Sequence, residues 1–250
     1  MTTIYFTNTG TGRDRNEDAV LAGPVHSGLS MPGPKVAVRP GPLSAVADGI
    51  GGGPGGALAA RVALEDLGLM AGSRPLPRRE DLVECLHGTA ARLGGMARRD
   101  PGLSGMGAAV AGLWRHGHSG LAFNCGDCRV YRLRGRDISL LTRDHSVPFA
   151  EYLEGRLPFG GVRGHPERHI LTSAVQESNH DFGIFARVVR LMAGDVFLVC
   201  SDGVWEGLGE GELTDLLAGH ADPGPGAQAL AGALLRRAGG DNLSFLLQTV

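Results

Sequence analysis

The segment between Ala108 and Leu141 constrains the fold most. Ala108–Trp114, Leu121–Cys125, Arg129–Arg134 and Asp137–Leu141 are short apolar or alternating runs with no helix between them. Arg115-His-Gly-His-Ser-Gly120 reads as a hairpin turn, and Arg129-Val-Tyr-Arg-Leu-Arg134 has the period of two of a half-buried strand. Leu43–Asp48, Ala186–Met192, Val196–Cys200 and Leu243–Val250 add further strands. Helical spacing appears in Gly56–Leu69, through Leu58, Val62 and Leu69, and in Glu80–Leu93, through Leu82, Cys85, Leu86 and Leu93. Ala227–Ala238 and the shorter Glu210–His220 are also helical candidates. Strands, two helices, a strand meander and a final strand–helix–strand are not a βαβ alternation. They predict an α+β fold with antiparallel sheets.

Gly23–Pro42 and Ala150–Gly164 read as loops, and no linker or internal repeat divides the chain. Residues 1–250 are therefore expected to form a single domain. A 42% hydrophobic content excludes a disordered chain, and a net charge of −2 argues against a nucleic-acid-binding surface. No apolar run approaches the ~18 residues of a membrane span. The opening Met1-Thr-Thr-Ile-Tyr-Phe lacks the pattern of a secretory leader. A soluble cytoplasmic protein without membrane or nucleic-acid partners is expected. Cys125-Gly-Asp-Cys128 has metal-like spacing but no second pair, so buried strand thiols are expected there.

The chemistry concentrates where acidic residues and Gly meet the ends of apolar runs. Asp48-Gly49 follows Leu43–Ala47, Gly126-Asp127 follows Leu121–Cys125, and Asp202-Gly203 follows Val196–Ser201. Gly240-Asp241-Asn242 precedes Leu243–Val250, and Glu17-Asp18 precedes Ala19-Val20-Leu21. Any one of these can be a plain turn. If the ends meet in space, their like charges need a hard divalent cation such as Mg²⁺ or Mn²⁺. Two such ions can hold a hydroxide and support in-line displacement at phosphorus. That reaction also needs a cation for the phosphoryl oxygens. Arg13, with its planar fork, and the nearby Arg15 are both candidates.

These residues resemble the metal-dependent serine/threonine phosphatases of type 2C, the PPM family, in their compact bacterial form. Gly10-Thr-Gly-Arg13-Asp-Arg-Asn16-Glu17-Asp18 looks like the family's G-x-x-R-x-x-N-E-D, and Val46-Ala-Asp48-Gly49-Ile-Gly-Gly52 like V-A-D-G-M-G-G. Gly105-Met-Gly107, Gly126-Asp127-Cys-Arg129-Val-Tyr131, Leu141-Thr-Arg-Asp144-His145-Ser146 and His165-Pro-Glu-Arg-His-Ile-Leu171-Thr resemble its middle motifs. Cys200-Ser-Asp202-Gly203 and Gly240-Asp241-Asn242 resemble its last two.

The resemblance implies a four-layer α-β-β-α sandwich, two central antiparallel β-sheets flanked by helices, with metals at one end and a flap near residues 150–164. It implies hydrolysis of phosphoserine and phosphothreonine on proteins by a water or hydroxide held between two divalent cations, Mn²⁺ or Mg²⁺. Arg13 would bind the substrate phosphate. Glu17, Asp48 and the Gly49 carbonyl would hold one ion, and Asp48, Asp202 and Asp241 the other, so that Asp48 is a catalytic bridge. Asp18 would support the ligands, and Asp127 with Asp202 would share a third ion, beside Glu206. The substrate would be a phosphorylated protein, either the target of a bacterial serine/threonine kinase or that kinase itself, in signalling or secretion control. The enzyme would act as a monomer.

Some positions depart from the family. Ile50 and Gly53 stand where members carry His, so the leaving group must take its proton elsewhere, and Glu206 stands where an Asp is usual. A catalytically silent phosphoprotein-binding module on the same fold is one alternative. A dinucleotide-binding oxidoreductase is another, since Gly51–Gly56 satisfies G-x-G-x-x-G. It lacks the acidic ribose partner and the βαβ continuation. Asp144-His145-Ser146 is too local for a hydrolytic triad. His165 and His169 share helical spacing in a segment that reads as loop.

Overall fold

A computed structural model describes residues 2–51, 54–73, 75–177, 182–220, 222–237 and 240–250. Gly53, and with it part of the Gly51–Gly56 loop, lies outside the described residues. The elements run β1 (Thr3–Asn8), β2 (Ala19–Leu21), β3 (Val25–Ser27), β4 (Lys35–Val36), β5 (Leu43–Ile50), α1 (Pro54–Ser73) and α2 (Arg79–Ala97). Then follow β6 (Gly107–His116), β7 (Ser119–Cys125), β8 (Arg129–Arg134), β9 (Asp137–Leu140), α3 (Val147–Leu153), α4 (Phe159–Val162) and β10 (Val175–Gln176). The chain closes with β11 (Phe185–Arg190), β12 (Asp195–Cys200), α5 (Asp202–Gly207), α6 (Glu210–Leu217), α7 (Pro223–Leu235) and β13 (Leu243–Thr249).

Two antiparallel sheets result. One is six-stranded in the order β4-β1-β13-β12-β8-β9. The other runs β11-β7-β6-β5-β2-β3, with β10 paired to β6. Strand alternation sorts the side chains. On β5, Ala45 and Ala47 face helices α1 and α2, in a core with Leu64, Leu67, Leu82 and Leu86. Val46 faces the other sheet, in a core with Phe6, Phe197, Leu198 and Phe245. Helices α6 and α7 cover the six-stranded sheet through Leu213, Leu217, Leu230 and Leu234. The layers are helix, sheet, sheet, helix, the α+β sandwich expected from the sequence. Each fully buried Leu or Phe contributes about 1.5–3 kcal/mol.

Several local expectations change. The presumed loop Ala150–Gly164 contains helical turns, because Val147-Pro148 opens α3 and Pro158 precedes α4, each with φ already near its helical value. Phe149, Tyr152 and Phe159 then pack edge to face with centroids 5.3–6.4 Å apart. Strand β1 has only the short apolar run Ile4-Tyr5-Phe6, and the flanking Thr3 and Thr7 are buried against Gln248 and Ser244 of β13. Leu69 is exposed, and the buried face of α1 is formed by Ala59, Ala60, Val62, Ala63, Leu64 and Leu67.

Candidate metal centre

Antiparallel pairing brings many chain ends to one rim of the sandwich. The C-terminal ends of β1, β5, β7 and β12 lie there with the N-terminal ends of β2, β6, β8 and β13. Asp48 lies near the end of β5, on the face between the sheets. Asp202 opens α5 directly after β12, Asp241 precedes β13, Glu17-Asp18 precede β2, and Asp127 sits in the β7–β8 turn. A cleft of about 830 Å³ at this rim is lined by Arg13, Glu17, Asp48, Asp127, Asp202 and Asp241, among others. Residues up to 228 positions apart thus meet.

The carboxylates repel one another. Burial, and then the neighbouring Asp202, Asp18, Asp127 and Asp241, push Asp48 well above the usual carboxylate range. Burial and the charges of Asp127, Asp241, Glu206 and Asp18 do the same to Asp202. Asp127 is pushed up to about 7 by burial and Asp144. Asp18 reaches about 6, chiefly through burial, although the Ser201 hydroxyl donates to its Oδ2 at 2.8 Å. Its other oxygen, Oδ1, is buried with no geometrically sound hydrogen-bond partner among the described residues. A site of hard oxygen donors with an orphaned buried oxygen and mutually repelling carboxylates fits a divalent metal.

Backbone contacts hold these carboxylates in place. A Cβ on Gly56 would displace Glu17 Oε2 and press on the Gly49 backbone, so Gly here lets α1 start close against Glu17. The Asn242 side chain donates to the Thr9 and Arg15 carbonyls at 2.8 and 2.9 Å and accepts from the Glu17 amide at 2.8 Å. It clamps the whole Arg13–Glu17 loop, a role that spacing alone did not single out. Arg13 donates through Nε and Nη2 to the two Asp241 oxygens at 2.8 and 2.6 Å. Arg15 also lines the cleft.

Asp127 is held from a second direction. The Trp205 indole donates to its carbonyl at 3.0 Å, and Arg129 stacks over Trp205 with its guanidinium carbon 3.7 Å from the ring centroid. Arg129 is itself buried in an ion pair with Asp144. His145 Nδ1 accepts from the Gly126 amide at 3.1 Å, and Ser146 precedes α3, so Asp144-His145-Ser146 is a structural corner. Cys125 and Cys128 are buried free thiols.

His169, read from sequence as a loop residue, stands on the rim of the cleft. Its ligand atom and those of Asp202 and Glu206 lie within 4.8 Å of one another. Glu206 Oε1 also lies 3.0 Å from Arg168 Nε and 3.6 Å from His169 Nδ1. Ile50 lines the cleft and offers no titratable group.

No protein-family model matches the chain. The Protein phosphatase PhpP of Streptococcus pneumoniae is 25% identical over 257 residues, covering 99% of this chain and 96% of PhpP. The crystal structure of PppA from Pseudomonas aeruginosa, described as a key regulatory component of T6SS, superposes with a TM-score of 0.77. It is 28% identical and covers 98% of this chain and 95% of PppA. The chain is similar over nearly its whole length to bacterial serine/threonine phosphatases of type 2C, or PPM. The Serine/threonine protein phosphatase PstP of Mycobacterium tuberculosis is 26% identical over 246 residues, which are 96% of this chain. The chain spans only 43% of the length of PstP. A crystal structure of PstP superposes with a TM-score of 0.84 at 23% identity, covering 100% of this chain and 99% of that one, which establishes the shared fold. Another, of the PstP catalytic domain, is in complex with two manganese ions.

Proposed function

We propose that this chain hydrolyses phosphoserine and phosphothreonine on proteins in a reaction that depends on divalent cations. The observation that supports this most is the group of mutually repelling carboxylates at one rim of the sandwich, the half-buried Asp48 and the buried Asp127 and Asp202. Glu17, Asp48 and the Gly49 carbonyl would hold one ion, and Asp48, Asp202 and Asp241 the other. When bound, two such ions activate water for in-line attack at phosphorus and neutralise the phosphoryl oxygens. Mn²⁺ is favoured over Mg²⁺, because PstP binds it in a fold this chain shares. A third ion would rest on Asp127 and Asp202, with Asp18 and Glu206 in support.

Arg13 would take the substrate phosphate, exchanging its two-pronged bond to Asp241 for one to phosphoryl oxygens. Asn242 would keep the Arg13 loop in register with Glu17 during that exchange. The flap built on α3 and α4 would border the bound peptide. The substrate would be a target of a serine/threonine kinase, or the kinase itself, in a signalling or secretion pathway of the kind PppA regulates. We also propose that residues 1–250 act as one catalytic domain, as a monomer in the cytoplasm. In support, no helix among the described residues is long and apolar enough to cross a membrane.

Phosphate release from matched peptides carrying phosphothreonine, phosphoserine or phosphotyrosine tests the substrate class. Turnover of the first two in Mn²⁺ is the expected result. Binding without turnover would point instead to the silent phosphoprotein-binding module.

A further inference from the structure

Beside the metal cleft lies a second recess of about 420 Å³. Gly12, Arg13, His169 and Asp241 line both, so the two are continuous. Three separate segments supply its cations: Arg13 from the loop after β1, Arg163 and Arg168 from the stretch after α4, and Arg237 from the end of α7. Four arginines and two acidic residues, Glu206 and Asp241, line the recess.

The guanidiniums are held in place but not equally neutralised. Arg168 is paired with Glu206, and Arg237 with Glu212 outside the recess. Arg163 donates from Nε to the Glu206 carbonyl at 2.8 Å and from Nη2 to the Gly207 carbonyl at 3.1 Å. Among the described residues it has no carboxylate within ion-pair distance. Its hydrogen bonds are to neutral acceptors, and Glu212 reaches it only through longer-range charge, so the guanidinium can still pair with an anion. Divalent cations on Asp241 would remove one of the two opposing carboxylates and make the recess more positive.

We infer that this recess is a second anion subsite, taking a phosphate or carboxylate carried on the same polypeptide as the phosphoresidue. The inference rests on the phosphatase reading and deepens it. The enzyme would select phosphorylated segments with an acidic or second phosphorylated residue close by. Guanidinium forks match both oxyanions, and charge-assisted pairs of this kind are the strong ones.

The test uses the full chain with Mn²⁺ and fluorescent peptides in which a non-hydrolysable phosphonate replaces phosphothreonine. One peptide has neutral flanks. The others place a single Glu, or a second phosphonate, at each of three positions on either side. Binding is expected to tighten about tenfold at one position. Arg163→Gln or Arg168→Gln, each checked for folding by circular dichroism, should return it to the neutral-peptide value. Tightening by Glu as well as phosphonate marks a general acidic subsite; tightening by phosphonate alone marks a second-phosphate subsite. The inference is overturned if no position tightens, if tightening survives in both variants, or if no peptide binds. Phosphate release from the neutral phosphothreonine peptide, measured in parallel, reports on the hydrolase reading independently.

Discussion

Arg13 and Asp241 form a two-pronged ion pair at the rim cleft, at 2.8 and 2.6 Å. The pair joins a residue proposed to hold phosphate to a residue proposed to hold metal, so the two functions compete. Arg13→Ala is expected to lower kcat/KM for a phosphopeptide on the order of 10²-fold, by loss of a phosphate donor. The same change frees Asp241 and should tighten Mn²⁺ binding severalfold in calorimetry. Weaker Mn²⁺ binding in the variant would contradict the competition. Unchanged kcat/KM would transfer the phosphate role to Arg15.

The carboxylate cluster should destabilise the metal-free protein. Replacing Asp48 or Asp202 with Asn removes a charge that its neighbours repel. Each variant is expected to melt higher than wild type in chelator, by a few degrees. Neither should show the wild-type rise in Tm on adding Mn²⁺. Activity should be abolished in both.

The same charges set a pH dependence. Asp127 titrates near 7 and Asp18 near 6, and Asp48 and Asp202 are also raised, all above the ~3.9 of an unfolded Asp. The folded state therefore binds more protons than the unfolded one between about pH 4 and 7, and stability falls as pH rises through that window. His26 and His145, both depressed by burial, act in the opposite sense near their unfolded value of ~6.5. With four carboxylates on one side, the net expectation in chelator is a Tm that drops from pH 5 to pH 7.5. Excess Mn²⁺ should abolish or reverse the drop, and a flat profile in chelator would count against the cluster.

Gly56 separates helix propensity from site geometry. Ala at this helical position would favour α1 by up to about 1 kcal/mol. Its Cβ would nonetheless displace Glu17 Oε2 and press on the Gly49 backbone. Gly56→Ala is expected to weaken Mn²⁺ binding at least tenfold by calorimetry. Binding equal to wild type would show that Glu17 can move aside.

Arg129 and Asp144 form a buried ion pair at 2.6 Å that also braces Trp205 and, through it, the Asp127 carbonyl. Asp144→Asn leaves the Arg129 charge uncompensated and should cost about 3–5 kcal/mol in denaturant unfolding.

The architecture was legible in the sequence wherever a period of two met clear turns. Arg129–Arg134 is the observed strand β8, and Val196–Cys200 and Leu243–Val250 differ from β12 and β13 by one residue at one end. The rim carboxylates were legible as well, because an antiparallel sandwich returns many strand ends to one side. Strand β1 was not, since its buried Thr3 and Thr7 look like surface residues until Gln248 and Ser244 are placed opposite them. The flap helices were hidden by their Pro and Gly content, although Pro148 and Pro158 are what start them. The Arg13–Asp241 pair, the Asn242 clamp and the approach of His169 to Asp202 depend on long-range closure. Local spacing does not encode that closure.

The most direct test of the central claim is phosphate release from a phosphothreonine peptide by purified, folded protein, in Mn²⁺ and again in excess chelator. Turnover that appears with Mn²⁺, vanishes with chelator, and is absent in Asp202→Asn is the expected result. Absence of metal-dependent turnover by the wild-type chain, or undiminished turnover by Asp202→Asn, would contradict it.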